Sequence, residues 1–224
     1  MPLNALFYPK GTAKKPISFD SLFIPYIYQE IYMDGIYLDI VNQLKHTKKK
    51  EDVTIVDIGA NIGVVTQYLR QFGKVYSVEP STEHFEALKK NKEFNNWDNV
   101  ELFNYAIADR DGEMAMHHNE ENLTCNSLVM NFTKEHADKV KTKTFKSFFK
   151  EAGIKHVDFM KFDVEGGEEL ILPSKDFEEA SKIIDNIEIE FHLPDFAKHV
   201  NHLIKLGYTA RRYQCSAIVI DFQK

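Results

Sequence analysis

The chain has 224 residues, 43% of them hydrophobic, and a formal net charge of −6. That length and apolar content suit a single αβα core, and the negative balance disfavours the phosphate-tracking surface of a nucleic-acid binder. The longest uncharged apolar stretches, residues 22–28 and 216–220, are too short to span a bilayer, and no secretory h-region opens the chain, so a cytoplasmic location is expected.

Residues 1–50 read as an aromatic-rich extension carrying Phe7, Tyr8, Phe19, Phe23, Tyr26, Tyr28, Tyr32 and Tyr37. Such a segment is expected to pack on the core, either as a lid over a crevice or as a cover for a sheet edge or an oligomer contact. Pro2, Pro9, Pro16 and Pro25 argue against one long helix before Tyr26, whereas residues 27–44 can form helical turns. The basic run at 45–50 is most simply a solvated connector into the main domain, residues 51–224.

The motif TIVDIGANIG at residues 54–63 predicts a buried strand, a sharp turn at Gly59 and a helix with Ile62, Val65, Leu69 and Phe72 on one face. Gly73 is placed to leave that helix in a left-handed conformation. A second strand over 75–78 ends on Glu79, the position from which an acid accepts hydrogen bonds from the ribose of a bound nucleoside. A dinucleotide fingerprint needs a second glycine where this chain has Asn61. Asn61 crowds a diphosphate and Asp57 repels one, which favours the cationic S-adenosylmethionine, with a nicotinamide cofactor as the alternative.

Ser81 is positioned to cap a helix running to about Asn95, and residues 100–104 form a third strand, after which Asn104 and Ala106 lie where the adenine should rest. Residues 111–140 form an inserted segment, expected to be a β-hairpin beside the pocket. Its His117 and His118 point to opposite faces of a strand, which fits a surface strand better than a metal pair. The apolar strand leading to Asp163 and Glu165 puts two carboxylates at a strand end, although Glu165 also reads as part of an exposed loop before an acidic helix start at Glu168 and Glu169. Glu188, Glu190 and His192 alternate with Ile187, Ile189 and Phe191 and so share one face of a strand. A helix over 195–206 and strands over 208–213 and 216–222 close the chain, and Cys125 and Cys215 read as small packing residues.

Together, VDIGANIG at 56–63, VEP at 78–80, NYAIAD at 104–109 with Gly112, and DFMKFDVEGGE at 158–168 resemble the FkbM family of S-adenosylmethionine-dependent methyltransferases over about residues 30–192. The resemblance implies an α/β, Rossmann-like class I fold: a seven-stranded, mostly parallel sheet with a C-terminal antiparallel hairpin and helices on both faces. It places Asp57, Gly59, Asn61 and Gly63 around the methionine moiety and Glu79 on the ribose. Ala60, Pro80, Asn104 and Ala106 complete the cofactor set, and Asp163 and Glu165 stand beside the transferred methyl. His192, at the end of a strand that reaches the crevice in this family, is the acid–base candidate. A divalent ion on Asp163 could do the same work, though no ligand set is indicated. The implied activity is O-methylation of a hydroxyl on a small molecule or glycan, with an RNA acceptor as the alternative. Where family members carry an acidic Leu-Asp-Asp stretch, this chain has TFKSFF at 144–149, so the resemblance assigns that helix no part in substrate binding.

Overall fold

The computed structural model describes residues 4–7, 17–20, 42, 44, 48–117, 127–129, 137–214 and 218–224. Most of the aromatic extension, His118 and both cysteines lie outside these residues. Strands β1 (Asn4–Phe7) and β2 (Ile17–Asp20) pair antiparallel. There follow β3 (Thr54–Ile58), α1 (Val64–Leu69), β4 (Lys74–Val78), α2 (Thr82–Phe94), β5 (Val100–Phe103) and the short β6 (Ala106–Ile107). Strand β2 lies beside α2. The inserted segment contributes β7 (Gly112–His117) and β8 (Ala137–Lys143), an antiparallel pair that β6 joins to make a three-stranded sheet. The remaining elements are α3 (Phe145–Ala152), β9 (Phe159–Phe162), α4 (Glu168–Ile171), α5 (Lys175–Ser181), β10 (Asn186–Phe191), α6 (Ala197–Lys205), β11 (Thr209–Gln214) and β12 (Ile218–Gln223).

The main sheet has seven strands in the order β11-β12-β10-β9-β3-β4-β5. Pairs β3/β4, β4/β5, β3/β9 and β9/β10 are parallel, and only the terminal β12 and β11 run antiparallel. The chain therefore leaves β3 toward β5 on one side and returns through β9 and β10 on the other. That reversal makes the carboxyl ends of β3 and β9 the switch point where a crevice opens.

Alternation along each strand divides the core into two apolar layers. Ile55 and Phe159 pack with Leu69, Val75, Leu88 and Trp97, while Val56, Ile58, Met160 and Phe162 pack with Phe145, Phe148 and Phe177. Helix α3, where the acidic family stretch is replaced, is an anchor of the second layer. Phe145 lies 5.9 Å from Phe177 and 6.2 Å from Phe162, and Phe148 meets Phe103 edge-on at 5.2 Å. Its aromatic residues are spent on the core, and its one acid, Glu151, accepts from Tyr105 at 2.8 Å and Lys143 at 2.6 Å.

Ser81 caps α2 as its sequence implies, its hydroxyl accepting from the His84 N–H at 3.3 Å. Two local expectations differ. Helix α1 is shorter than the apolar face from Ile62 to Phe72 suggests, because left-handed turns at Asn61 and Gly63 delay its start. Gly73 does not adopt the left-handed conformation; a Cβ there would stand 2.6 Å from the Val53 carbonyl oxygen, so close packing demands the glycine. Among the described residues, no helix is long and apolar enough to cross a membrane.

Candidate active site

The turn after β3 is built by backbone contacts at the switch point. Gly59 and Ala60 both donate to the Val78 carbonyl at 3.0 Å, tying the turn to the end of β4. Gly59 has φ 77°, and a Cβ on it would sit 1.8 Å from the Asp163 carbonyl oxygen, so only glycine lets β3 and β9 end this close together. Asn61 holds φ 51° with its own Oδ1 accepting from the Ile62 N–H at 2.8 Å, a local bond that makes asparagine tolerable there. Gly63 precedes α1 and packs on Leu88 and Trp97.

Glu79, at the end of β4, is 5% exposed, yet both its oxygens are occupied: Oε2 accepts from the Asn61 N–H and Oε1 from the Ser81 N–H, each at 2.8 Å. Burial pushes its carboxyl up to about 7 against the pull of those two hydrogen bonds. Glu79 thus fixes the Gly59 turn to the start of α2. Asn104 spends its amide on the carbonyls of Glu79 at 2.9 Å and Pro80 at 3.3 Å, so it shapes this loop from behind, and Ala106 is buried in β6.

Asp57 lies beneath the turn, fully buried. It accepts from Thr66 Oγ1 at 2.6 Å, while its Oδ1 has no hydrogen bond and lies 3.9 Å from the ammonium of Lys161. Burial holds this carboxyl above its usual range, with Lys161 pulling it back. Lys161 Nζ donates to the Gly59 carbonyl and to Asp163 Oδ2, both at 2.9 Å. Burial works against its charge, but Asp163 and Asp57 outweigh that and hold the lysine protonated.

Beyond β9 the acids converge on one imidazole. Glu165 has φ 50°, and the hydroxyl of buried Ser127, from the inserted segment, donates to its carbonyl. His192, just past β10, pairs through Nδ1 with Glu168 Oε1 at 3.1 Å. Its Nε2 faces Glu165 Oε2 at 3.3 Å, Asp163 Oδ1 at 3.6 Å and Glu190 Oε1 at 3.7 Å. Burial opposes a charged ring, yet the Glu168 hydrogen bond and the Asp163 and Glu165 carboxylates prevail and hold His192 at about 9. Burial, then the neighbouring Asp163, pushes Glu190 up to about 7.

Gly59, Ala60, Asn61, Glu79, Pro80 and Asn104 gather at the ends of β3 and β4, and Asp163, Glu165 and His192 at the ends of β9 and β10, with Asp57 beneath the turn, whereas Ala106 packs with Met116 and Val140 in the three-stranded sheet. Lys161, Glu168 and Glu190 were not singled out as site residues. A lone lysine inside the apolar FMKF strand was the available signal for Lys161; Glu168 looked like an ordinary acidic helix start and is instead 2% exposed.

The ligand atoms of Asp163, Glu165 and His192 lie within 4.8 Å of one another, a donor set able to hold a divalent ion. The similar trio of His156, Asp158 and Asp185 sits at the opposite, amino ends of β9 and β10, where the Lys48 ammonium already pairs with Asp158. For S-adenosylmethionine the crevice fits on its own terms. Asp163 Oδ1 is buried without a hydrogen-bond partner, and Asp57, Glu79, Asp163, Glu165 and Glu190 outnumber the cations Lys161 and His192. That imbalance suits a ligand carrying a sulfonium and an ammonium.

Sheet order, closing hairpin and an acid-lined turn at the switch point define a class I S-adenosylmethionine-dependent methyltransferase. The chain belongs to the FkbM methyltransferase domain family, whose model matches residues 57–210. A relative from Beauveria bassiana, described as Methyltransferase 1, is 25% identical over 189 residues, covering 75% of this chain and 73% of its own. Among solved structures, an rRNA methylase from Streptococcus thermophilus superposes with TM-score 0.52 at 12% identity, over 87% of this chain and 95% of that one. Precorrin-6y C5,15-methyltransferase from Geobacter metallireducens gives 0.50 at 14% identity, over 98% and 94%. These structural likenesses carry the fold. The family match favours S-adenosylmethionine over the nicotinamide alternative for the Gly59 turn.

Proposed function

We propose that the protein methylates a hydroxyl oxygen of a small molecule or glycan, with His192 as the proton acceptor. The carrying observation is the placement of His192 Nε2, 3.3 Å from Glu165 and 3.6 Å from Asp163, at the strand ends that flank the Gly59 turn. When bound, S-adenosylmethionine supplies an electrophilic methyl on a sulfonium, a good leaving group that departs as a neutral thioether. The protein's work is alignment, water exclusion and removal of the acceptor's proton. In this reading the Gly59 turn and Asp163 hold the methionine end and Glu79 accepts from the ribose hydroxyls; the neutral form of His192, which takes the hydroxyl proton at Nε2, grows as pH rises toward about 9, so turnover should rise with it. Asp163, Glu165 and Glu190 would repel a phosphate chain, which supports an uncharged hydroxyl acceptor over RNA.

The test is incubation with methyl-labelled cofactor and parallel panels of hydroxyl-bearing small molecules, glycans and RNA. A methyl ether in the first two is expected; label in RNA alone would overturn the reading. His192→Ala should lower turnover on the acceptor so found by about 100-fold or more. S-adenosylhomocysteine affinity should stay nearly unchanged, and equal turnover in variant and wild type would dismiss the role.

Glu79→Gln should weaken S-adenosylhomocysteine binding by about tenfold to a hundredfold, the range for a hydrogen bond to a charged group. Because burial holds Glu79 at about 7 in the free protein, its accepting, ionised form is gained as pH rises. Calorimetric affinity should therefore increase between about pH 6 and about pH 8, and more steeply in the wild type than in the variant, where Glu190 still ionises over that range. A flat wild-type profile would remove Glu79 from the ribose.

A further inference from the structure

The residue that sets the chemistry of His192 lies on its far side. Helix α4 begins immediately after Gly167 and carries Glu168, 2% exposed, toward the end of β10. A carboxylate that deeply buried is costly unless it is paired. Its Oε1 meets His192 Nδ1 at 3.1 Å and, among the described residues, is otherwise reached only by the Gly166 N–H at a long 3.4 Å. An ionised carboxylate can only accept, so Nδ1 must be the protonated nitrogen. Among the described residues the opposite nitrogen, Nε2, meets only carboxylates, Glu165, Asp163 and Glu190, at 3.3, 3.6 and 3.7 Å, beyond ordinary hydrogen-bond length.

We propose that Glu168 is a positioning residue that holds His192 with its proton on Nδ1, so that Nε2 alone is presented to the acceptor hydroxyl. The proposal rests on the assignment of His192 as proton acceptor and adds the group that makes it one. Glu168 also contributes negative charge behind the ring, which favours proton uptake at Nε2. The groups facing His192 are Glu168 from α4, Asp163 and Glu165 from the segment after β9, and Glu190 from β10, with Lys161 of β9 on the far side of Asp163.

The neighbouring residue supplies an internal control. Glu169 bonds His199 at 2.9 Å and pairs with Lys198 at 2.6 Å, and His199 in turn stacks on Phe191, so Glu169 ties α4 to α6 without touching His192. Loosening α4 in general and removing the carboxylate behind His192 are therefore separable.

Nitrogen NMR of the full chain with isotope-labelled histidine tests the proposal, the His192 signals being identified by their loss in His192→Gln. In the wild type at a pH where the ring is neutral, His192 should show the tautomer protonated at Nδ1. In Glu168→Gln the amide can either donate or accept at Nδ1, so the tautomers should mix. Glu169→Gln should leave the tautomer as in the wild type. A wild-type tautomer protonated at Nε2, no change in Glu168→Gln, or an equal change in Glu169→Gln would each overturn it. If Glu168→Gln does not fold, the wild-type tautomer decides alone. An acceptor panel that yields no methyl ether would count against the proposed activity and leave the tautomer result standing.

Discussion

Replacing Lys161 with methionine should destabilise the protein by about 3–5 kcal/mol at neutral pH, the magnitude expected when one partner of a buried charge network is removed. Methionine keeps most of the apolar stem, so the loss isolates the ammonium. Two hydrogen bonds of 2.9 Å disappear, to the Gly59 carbonyl and to Asp163 Oδ2. Asp57 suffers most. It is fully buried, its Oδ1 has no hydrogen bond, and the Lys161 ammonium 3.9 Å away is the counter-charge that pulls its carboxyl down. Among the described residues, Thr66 Oγ1 would be left as its one side-chain donor.

The sign of the pH dependence follows from Asp57. Burial already raises its carboxyl above the ordinary range of an aspartate, and removing Lys161 raises it further. A group whose folded pKa is raised stabilises fully below its unfolded value, and that contribution is lost as pH climbs through the folded value. The deficit of Lys161→Met should therefore be greatest at neutral pH and shrink on acidification toward about pH 4. Urea denaturation of both proteins at several pH values measures it. A deficit that is absent, or constant with pH, would show that Lys161 is not the charge partner of Asp57. The same substitution should weaken S-adenosylhomocysteine binding, because the Gly59 turn loses its link to β9.

How far the sequence revealed this site depends on the range of the interactions involved. The Gly59 turn, the Glu79 strand end, the Ser81 cap and the closing hairpin are legible because each is written within a dozen or so neighbouring residues as periodicity, cap or turn chemistry. Glu168 and Lys161 are different. Lys161 acquires its role only when β9 pairs in parallel with β3 and lays its side chain against the carbonyl of Gly59, 102 positions away in the chain. Glu168 resembles any acid in a first helical turn until β10 delivers His192 to it from 24 positions downstream. Asn104 illustrates the converse. The sequence suggests a place beside the adenine for it, but its amide is committed to the Glu79 and Pro80 carbonyls. Glu165, readable as an exposed loop, is held left-handed beside His192 by a contact from the inserted segment.

Gly59→Ala tests the geometry on which all these contacts converge. Two penalties act at once. An L-residue at φ 77° costs about 1–2 kcal/mol, and the added Cβ would stand 1.8 Å from the Asp163 carbonyl oxygen. That oxygen belongs to backbone fixed by the Asp163 N–H bond to the Ile58 carbonyl at 3.2 Å and by the β3/β9 pairing, so no side-chain rotation relieves the clash. The strand ends must part, and a total loss of at least about 3 kcal/mol is expected, with cofactor binding lost as the floor of the crevice opens. Gly153 separates the two penalties. It has φ 68° at the end of α3, but a Cβ there meets nothing within 4 Å, so Gly153→Ala should lose only the conformational part, about 1 kcal/mol, and bind S-adenosylhomocysteine as the wild type does. Thermal unfolding and calorimetry of the two variants side by side make the comparison. If both melt alike, the close approach of β3 to Asp163 is not what demands glycine at the turn.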